Sequence, residues 1–413
     1  MRVAAIVGRH ESLARAVARG VLAAGADLVT TLGASDPRSF VERAETLRAA
    51  RPDLVIAVAA ERGDADAVVD LAEALRFGCG AQQPCPELLI QADDRTRTRI
   101  ADAAGVGTTS AVPDVRTGTG RDAIVARVRA LRRPSRDAVL PDEAVETRAR
   151  DLARERGPSV VLELGESTVS LCHASADGAM TAIHARTGIG TAADALLARV
   201  GADRVRRWMP RPVEVPLLVE RVFNRALWPH AVAPSVPTLT LEMALAREAI
   251  ASALAQAERA GIAVSLLRTV GTLLLRGEIA AWPRPSSSLL VAIDGLAADG
   301  VTTVLRERGG VTETVAIVAT VWPRRSATIR VADDTGMIEE RIARGSFLLI
   351  PTTGAVKVTA SGVDVRADAP QLGLGVVIDA RGRPLGLPPR DAERVPTIAR
   401  WHAALDALPA EAL

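Results

Sequence analysis

The stretch VVLELGESTVSLCHAS, residues 160–175, decides the fold. An apolar run enters Gly165-Glu166-Ser167-Thr168 and leaves at once in a second alternating run, the pattern of a β-hairpin with a small-residue tip. Backbone N–H groups of such a turn can converge on an anion, with Gly165, Ser167 and Thr168 facing it. An acidic residue on the entering strand, here Glu163, can hold Mg²⁺ through water, with no direct protein ligand to the metal. A third strand at 180–185 follows, then Thr187-Gly188-Ile189-Gly190 opening a helix. Gly188 and Gly190 let the backbone approach an anion or pack closely on a neighbouring strand, and the pattern serves either equally.

Before the hairpin, apolar runs at 3–7, 27–32, 54–59 and 88–92 alternate with Ala- and Arg-rich segments of helical period. Continuous apolar strands separated by helices predict a parallel sheet covered on both faces. The sequence GRHES after the first run is not G-x-G-x-x-G, so a dinucleotide fingerprint is absent. A helix at 122–131 and the stretch Arg132-Arg133-Pro134 to Leu140-Pro141 predict a linker into a second region, entered through a helix at 143–156.

Beyond the hairpin, 204–216 reads as irregular and 240–260 as a long amphipathic helix, with Leu241, Leu245, Ile250 and Leu254 near one face and Glu242, Arg247, Glu258 and Arg259 towards another. A strand at 266–270 ending in Gly271-Thr272 and a helix at 286–296 come next. From 315 onward, short runs separated by Gly, Asp and Pro predict a small β-sandwich or barrel, closed by a helix at 391–408. The turn Asp379-Ala-Arg-Gly-Arg-Pro384 reads as structural, since Gly382 and Pro384 suffice to explain it.

The chain has 413 residues, enough for two or three domains at roughly 100 to 200 residues each. A net charge of +2 implies no bulk attraction to nucleic acid or membrane, so neither is expected as a partner. Cys79, Cys85 and Cys172 lack metal-site spacing, and no apolar run approaches a membrane span of about 18 residues. MRVAAIVGRHES is too short an apolar run for a signal peptide, and the chain is expected to be cytoplasmic. His173 and His184, and the five scattered tryptophans, read as packing residues rather than ligands or a base-stacking platform.

Together these pieces resemble the glutamate mutase accessory proteins of the MutL or GlmL type, distinct from the mismatch-repair protein of that name. The resemblance is carried by segments 52–76, 160–175, 187–197, 206–250, 269–302 and 375–408, in that order. It implies an α/β fold of actin-like ATPase (ribonuclease H-like) halves with a small C-terminal β-rich domain. The expected division is 1–135, a first α/β half without its first phosphate hairpin; 136–312, a second half with the hairpin; and 313–413, a β-rich domain with a terminal helix. It further implies ATP with Mg²⁺ as cofactor, and an adenosylcobalamin-dependent mutase subunit as partner. Within such a fold, a strand leading to Gly271-Thr272 would bring backbone against the adenosine.

The chain departs from that pattern at chemically important places. The family opens with a D-x-G-S-T-like hairpin that has no counterpart after Met1, so Met1 is open to question as the true start. Glu163 replaces Asp, Glu166 replaces a glycine and Ser170 replaces a later Asp. A carboxylate about 4 to 5 Å from phosphate costs on the order of a few kcal/mol at an effective dielectric near 20, a hundredfold or more in affinity. Three readings follow: a nucleotide-binding accessory or reactivation-type protein with a degenerate ATP site, at most a weak ATPase; a non-catalytic binding or scaffold module of the same fold; and a small-molecule kinase. The expected nucleotide site is Glu163, Gly165, Ser167, Thr168, Gly188, Gly190, Gly271 and Thr272.

Overall fold

The computed structural model describes residues 1–81, 84–105, 108–135, 139–229, 235–333, 336–352, 354–360, 363–369 and 373–410. They form two units: residues 1–144 with 183–185 and 256–263, and residues 145–182, 186–255 and 264–413. Of the expected linker, residues 136–138 lie outside the described residues.

In the first unit, β1 (Arg2–Val7), α1 (Glu11–Ala23), β2 (Asp27–Gly33), α2 (Phe40–Ala50) and β3 (Leu54–Val58) alternate strictly. They continue into α3 (Ala65–Cys79), β4 (Glu87–Gln91), α4 (Asp94–Ala104), β5 (Thr109–Ala111) and α5 (Gly118–Arg132). The five strands are parallel in the order β2-β1-β3-β4-β5. Along β1, Val3, Ala5 and Val7 enter one buried cluster while Ala4 and Ile6 enter the other, so helices cover both faces. The helix ends carry their own signals. Ser39 and Glu42 form a capping box on α2, Asp93 caps α4, and Gly105 ends α4 at φ 53°.

This sheet corrects one expectation. A ribonuclease H-like half opens with an antiparallel meander, whereas every pairing here is parallel and the strand order reverses at β1. The cause is legible in the central strands β1, β3 and β4, which are apolar on both faces, and in the helical crossovers that join the strands in place of tight turns. A phosphate hairpin has no place among the described strands of this unit.

Helix α6 (Pro141–Arg156) leads to β6 (Ser159–Leu164), β7 (Val169–Ala174) and β8 (Met180–Ala185). Helices α7 (Ala193–Val200), α8 (Ala202–Arg206), α9 (Val215–Leu227), α10 (Val236–Arg259) and α11 (Ser265–Arg268) follow, then β9 (Thr272–Gly277), α12 (Glu278–Ala281) and α13 (Pro285–Leu296). The chain continues through β10 (Val301–Arg308), β11 (Val311–Thr320), β12 (Ser326–Asp333), β13 (Gly336–Ala343) and β14 (Phe347–Ile350). It ends with β15 (Gly354–Ala360), β16 (Val363–Ala369), β17 (Val376–Asp379) and α14 (Asp391–Ala404).

The hairpin strands sit in a mixed eight-stranded sheet of order β14-β17-β11-β10-β9-β6-β7-β8. Strand β6 is antiparallel to β7 and parallel to β9, which is parallel to β10. On one face, Val145, Ala149, Leu152 and Ala153 of α6 pack on Val161, Cys172, Leu274 and Leu305. The turn Gly309-Gly310, at φ 58° and 80°, joins β10 to β11, a pair of left-handed conformations that glycine adopts without strain.

Residues 313–413 do not form the separate β-rich domain expected of them. Strands β11, β14 and β17 extend the hairpin's own sheet, and only β13-β12-β15-β16 make a second, antiparallel one. Ile329, Val331 and Ile342 of that second sheet share a core with Ile317, Ile350, Val376 and Ile378, so one apolar layer serves both sheets. The cysteines form no disulfide, and no described helix is long and apolar enough to cross a membrane.

Candidate functional site

The hairpin forms where the sequence places it. Glu163 pairs with Ser170 and Leu164 with Val169, and the Gly165 N–H closes the tip by donating to the Thr168 carbonyl at 2.8 Å. The segment 187–192 lies directly on this tip. Ile189 N–H donates to the Gly165 carbonyl (3.2 Å), while Gly190 and Ala192 N–H both donate to the Glu166 carbonyl (2.8 and 3.2 Å). A Cβ on Gly188 would stand 2.4 Å from the Glu166 carbonyl carbon and oxygen, and one on Gly190 would stand 2.7 Å from Glu166 Cβ. Glycine at 188 and 190 is therefore required by contact between two backbone layers.

The glycine segment is also pinned from its far side. Thr187 Oγ1 donates to the Ala249 carbonyl (3.2 Å), and Arg225 Nε donates to the Ile189 carbonyl (3.3 Å). Thus Glu163, Gly165, Ser167, Thr168, Gly188 and Gly190 come together, but the Ile189, Gly190 and Ala192 N–H groups of the glycine segment are spent on tip carbonyls, and the Gly165 N–H on the turn itself. Buried N–H groups are rarely left without acceptors, and these have strong ones.

Glu163 has a partner that its sequence neighbours do not reveal. Arg276 is its register partner on β9, and Arg276 Nη1 lies 3.3 Å from Glu163 Oε2. Arg276 Nε also lies 2.9 Å from Glu307, which accepts from Arg148 Nε at 2.7 Å. Burial pushes the Glu307 carboxyl up, but the Arg148 hydrogen bond and the two guanidinium charges outweigh it and leave the group below its ordinary range. The result is a ladder of alternating charge across adjacent strands, in which Glu163 is neutralised by Arg276.

Gly271 and Thr272 are not part of this assembly. The strand expected at 266–270 is a helical turn, α11, and the strand itself is β9, where Leu273-Leu274-Leu275 are fully buried. Because β9 runs parallel to β6 with Thr272 opposite Ser159 and Gly277 opposite Leu164, Gly271-Thr272 begins the strand at the end away from the tip. Five residue steps separate Thr272 from Gly277, about 16 Å at roughly 3.3 Å per residue. The glycine beside the tip is Gly277, at φ 72°, where a Cβ would stand 2.3 Å from the Leu164 carbonyl oxygen.

Of the charged residues read on the face of α10 away from its leucines, Glu258 and Arg259 are exposed but Glu242 and Arg247 are buried, as is Glu248. Glu242 lies 3.3 Å from Arg225 Nε; burial above all pushes its carboxyl up to about 6, with Arg225 opposing and Glu278 reinforcing the rise. Arg247 donates to Asp294 (2.8 Å), and Asp294 lies 2.7 Å from Arg381. Arg381 in turn grips Asp379 with both Nε and Nη2 at 3.0 Å, and Arg383 adds a third bond at 2.7 Å. The Arg381 guanidinium stacks on Phe347 and Trp401, 3.8 and 4.6 Å from their ring centres. Burial raises the Asp379 carboxyl, but the charges and hydrogen bonds of Arg381 and Arg383 dominate and hold it at about 2.

The turn 379–384 is thus structural, as read from its glycine and proline; Trp208, Trp282 and Trp401 are packing anchors, whereas Trp228 and Trp322 are exposed. Trp208 donates Nε1 to Glu248 at 2.8 Å and lies under Arg247. The described residues contain no cluster of His, Cys, Asp and Glu able to hold a metal ion. No family model matches the chain, and no curated protein matches it in sequence.

Proposed function

We propose that the chain is a non-catalytic accessory protein whose second unit keeps an actin-like, ribonuclease H-like half with its phosphate hairpin converted into a structural joint. The strand order β10-β9-β6-β7-β8, antiparallel at the hairpin and parallel from β6 through β9 to β10, supports the actin-like assignment. The observation that carries the loss of nucleotide chemistry is the direct bonding of Ile189, Gly190 and Ala192 N–H to the tip carbonyls. Glu163 bound to Arg276, and Gly271-Thr272 at the far end of β9, support the same reading. The partner we infer is an adenosylcobalamin-dependent mutase subunit, on the resemblance of the quoted segments, held without an ATP cycle.

Two measurements test this. Phosphate release from millimolar Mg-ATP stays at background for the wild type and for Glu166→Gly, because removing the tip carboxylate does not free the three N–H groups. Turnover above background in either protein contradicts the reading and restores the ATP-driven one. Co-elution with the mutase is expected to be the same with and without nucleotide. A complex seen only with ATP overturns the scaffold mechanism, and no complex in either condition removes the mutase as partner.

A further inference from the structure

The first unit carries a second feature that the hairpin reading does not use. In an open parallel sheet of order 2-1-3-4-5, loops leaving β1 and β3 run to opposite faces, and the crevice between them at the carboxyl ends of the strands is where ligands bind. Here that crevice is bounded by Gly8-Arg9-His10, leading into α1, and by the 59–64 segment leading into α3. Gly8 N–H donates to the Val58 carbonyl (2.9 Å), which holds the two exits side by side.

Asp64 reaches from the second exit over the first. A Cβ on Gly8 would stand 2.1 Å from Asp64 Oδ2, so this position must be glycine for the carboxylate to lie there. Asp64 Oδ1 accepts the Arg9 N–H at 3.1 Å, but Oδ2, in a side chain only 2% exposed, meets no hydrogen-bond donor among the described residues. A buried carboxylate oxygen without a donor is costly, and it points to a missing O–H or N–H group.

The opposite side of the crevice offers the complementary chemistry. Helix α1 has 13 residues and no side-chain cap, because His10 at the N-cap turns instead to Glu61, Nε2 to Oε2 at 3.1 Å. The first N–H groups of α1 and its dipole favour an anion. Exposed Arg9 stands next to them, and its guanidinium has no partner among the described residues. The His10–Glu61 pair bridges the two loops at the surface, and an exposed pair of that kind opens at little cost.

We propose that this crevice is a small-molecule site for a phosphorylated sugar. The phosphate sits on the α1 N-terminus and Arg9, and sugar hydroxyls donate to Asp64 Oδ2 and to Glu61. The group that satisfies Asp64 must be a donor and the group facing α1 must be an anion, and a sugar phosphate supplies the two from separate groups, whereas the O–H donors of a free phosphate sit on the anion itself. The site lies wholly within residues 8–64 and does not involve the hairpin of the second unit.

Calorimetry on the full chain with ribose 5-phosphate, inorganic phosphate and ribose tests the assignment. Ribose 5-phosphate is expected to bind saturably, at least about tenfold more tightly than either phosphate or ribose alone. Arg9→Ala should weaken ribose 5-phosphate about tenfold with an unchanged melting temperature, since the side chain is exposed and unpaired. Asp64→Asn, which keeps an acceptor for the Arg9 N–H, should weaken ribose 5-phosphate about tenfold and leave phosphate binding as in the wild type. Absence of saturable binding, equal affinity for phosphate and ribose 5-phosphate, or unchanged affinity in Asp64→Asn overturns the proposal. If Asp64→Asn does not fold, unchanged affinity in Arg9→Ala overturns it on its own.

Discussion

Gly188→Ala is expected to lower the free energy of unfolding by about 3–5 kcal/mol, measured by urea denaturation of the full chain. The added methyl would meet the carbonyl carbon and oxygen of Glu166 at 2.4 Å and the Gly165 carbonyl oxygen at 2.5 Å, all backbone atoms that cannot rotate away. Relief requires moving the 187–192 segment off the tip, which breaks the bonds from Ile189, Gly190 and Ala192 N–H at about 1 kcal/mol each. If these glycines instead lined an open phosphate cradle, the same substitution would be nearly silent in stability. A loss below about 1 kcal/mol therefore contradicts the packed-joint description.

Arg381→Ala is expected to cost a similar amount, about 3–5 kcal/mol, because it leaves a cavity and removes from two buried carboxylates a shared partner, Asp379 keeping Arg383 and Asp294 keeping Arg247. Both carboxylates are buried, and Arg381 contacts them both while stacking on Phe347 and Trp401. The pH dependence has a definite sign. Asp379 is held at about 2 against 3.8 unfolded, so its pairing stabilises the wild type above pH 4 by about 2 kcal/mol and is lost as pH falls towards 2. The gap between wild type and variant should accordingly narrow below pH 4. Equal gaps at pH 7 and pH 3 would show that the cluster is held by packing rather than by charge.

Parts of this structure are legible in the chain and parts are not, for identifiable reasons. The hairpin is legible because its strand period of two and its small tip are local signals, and the parallel character of the first sheet is legible because its strands are apolar on both faces. The turn Gly309-Gly310 between two β-branched runs is an equally local signal for the β10–β11 hairpin, which the division at 312 cuts through. Strand β9 begins six residues after the expected start at 266, because Leu266-Leu267 and Leu273-Leu274-Leu275 are both short apolar runs and the latter lies between two paired neighbours. An actin-like first half is implied by the resemblance alone; the first unit's own residues describe a doubly wound sheet.

Long-range pairing is what a linear reading cannot supply. Glu163 faces Arg276 more than a hundred positions away, and Arg247 on α10 finds Asp294, which in turn meets Arg381. On α10 the helical period correctly places Leu241, Leu245, Ile250 and Leu254 inside, but Glu242, Arg247 and Glu248 are buried as well, because their partners come from other elements. The same holds for residues 313–413, where β14, β17 and most of β11 join a sheet begun at residue 159.

Hydrogen exchange of segments 160–175 and 186–192, followed with and without millimolar Mg-ATP, tests the central claim most directly. With their N–H groups bonded to tip carbonyls, Ile189, Gly190 and Ala192 should exchange slowly in the free protein, and nucleotide should leave the rates in both segments unchanged. Fast exchange at these amides in the free protein, with protection appearing when Mg-ATP is added, would contradict the structural joint and mark the hairpin as a working phosphate clamp.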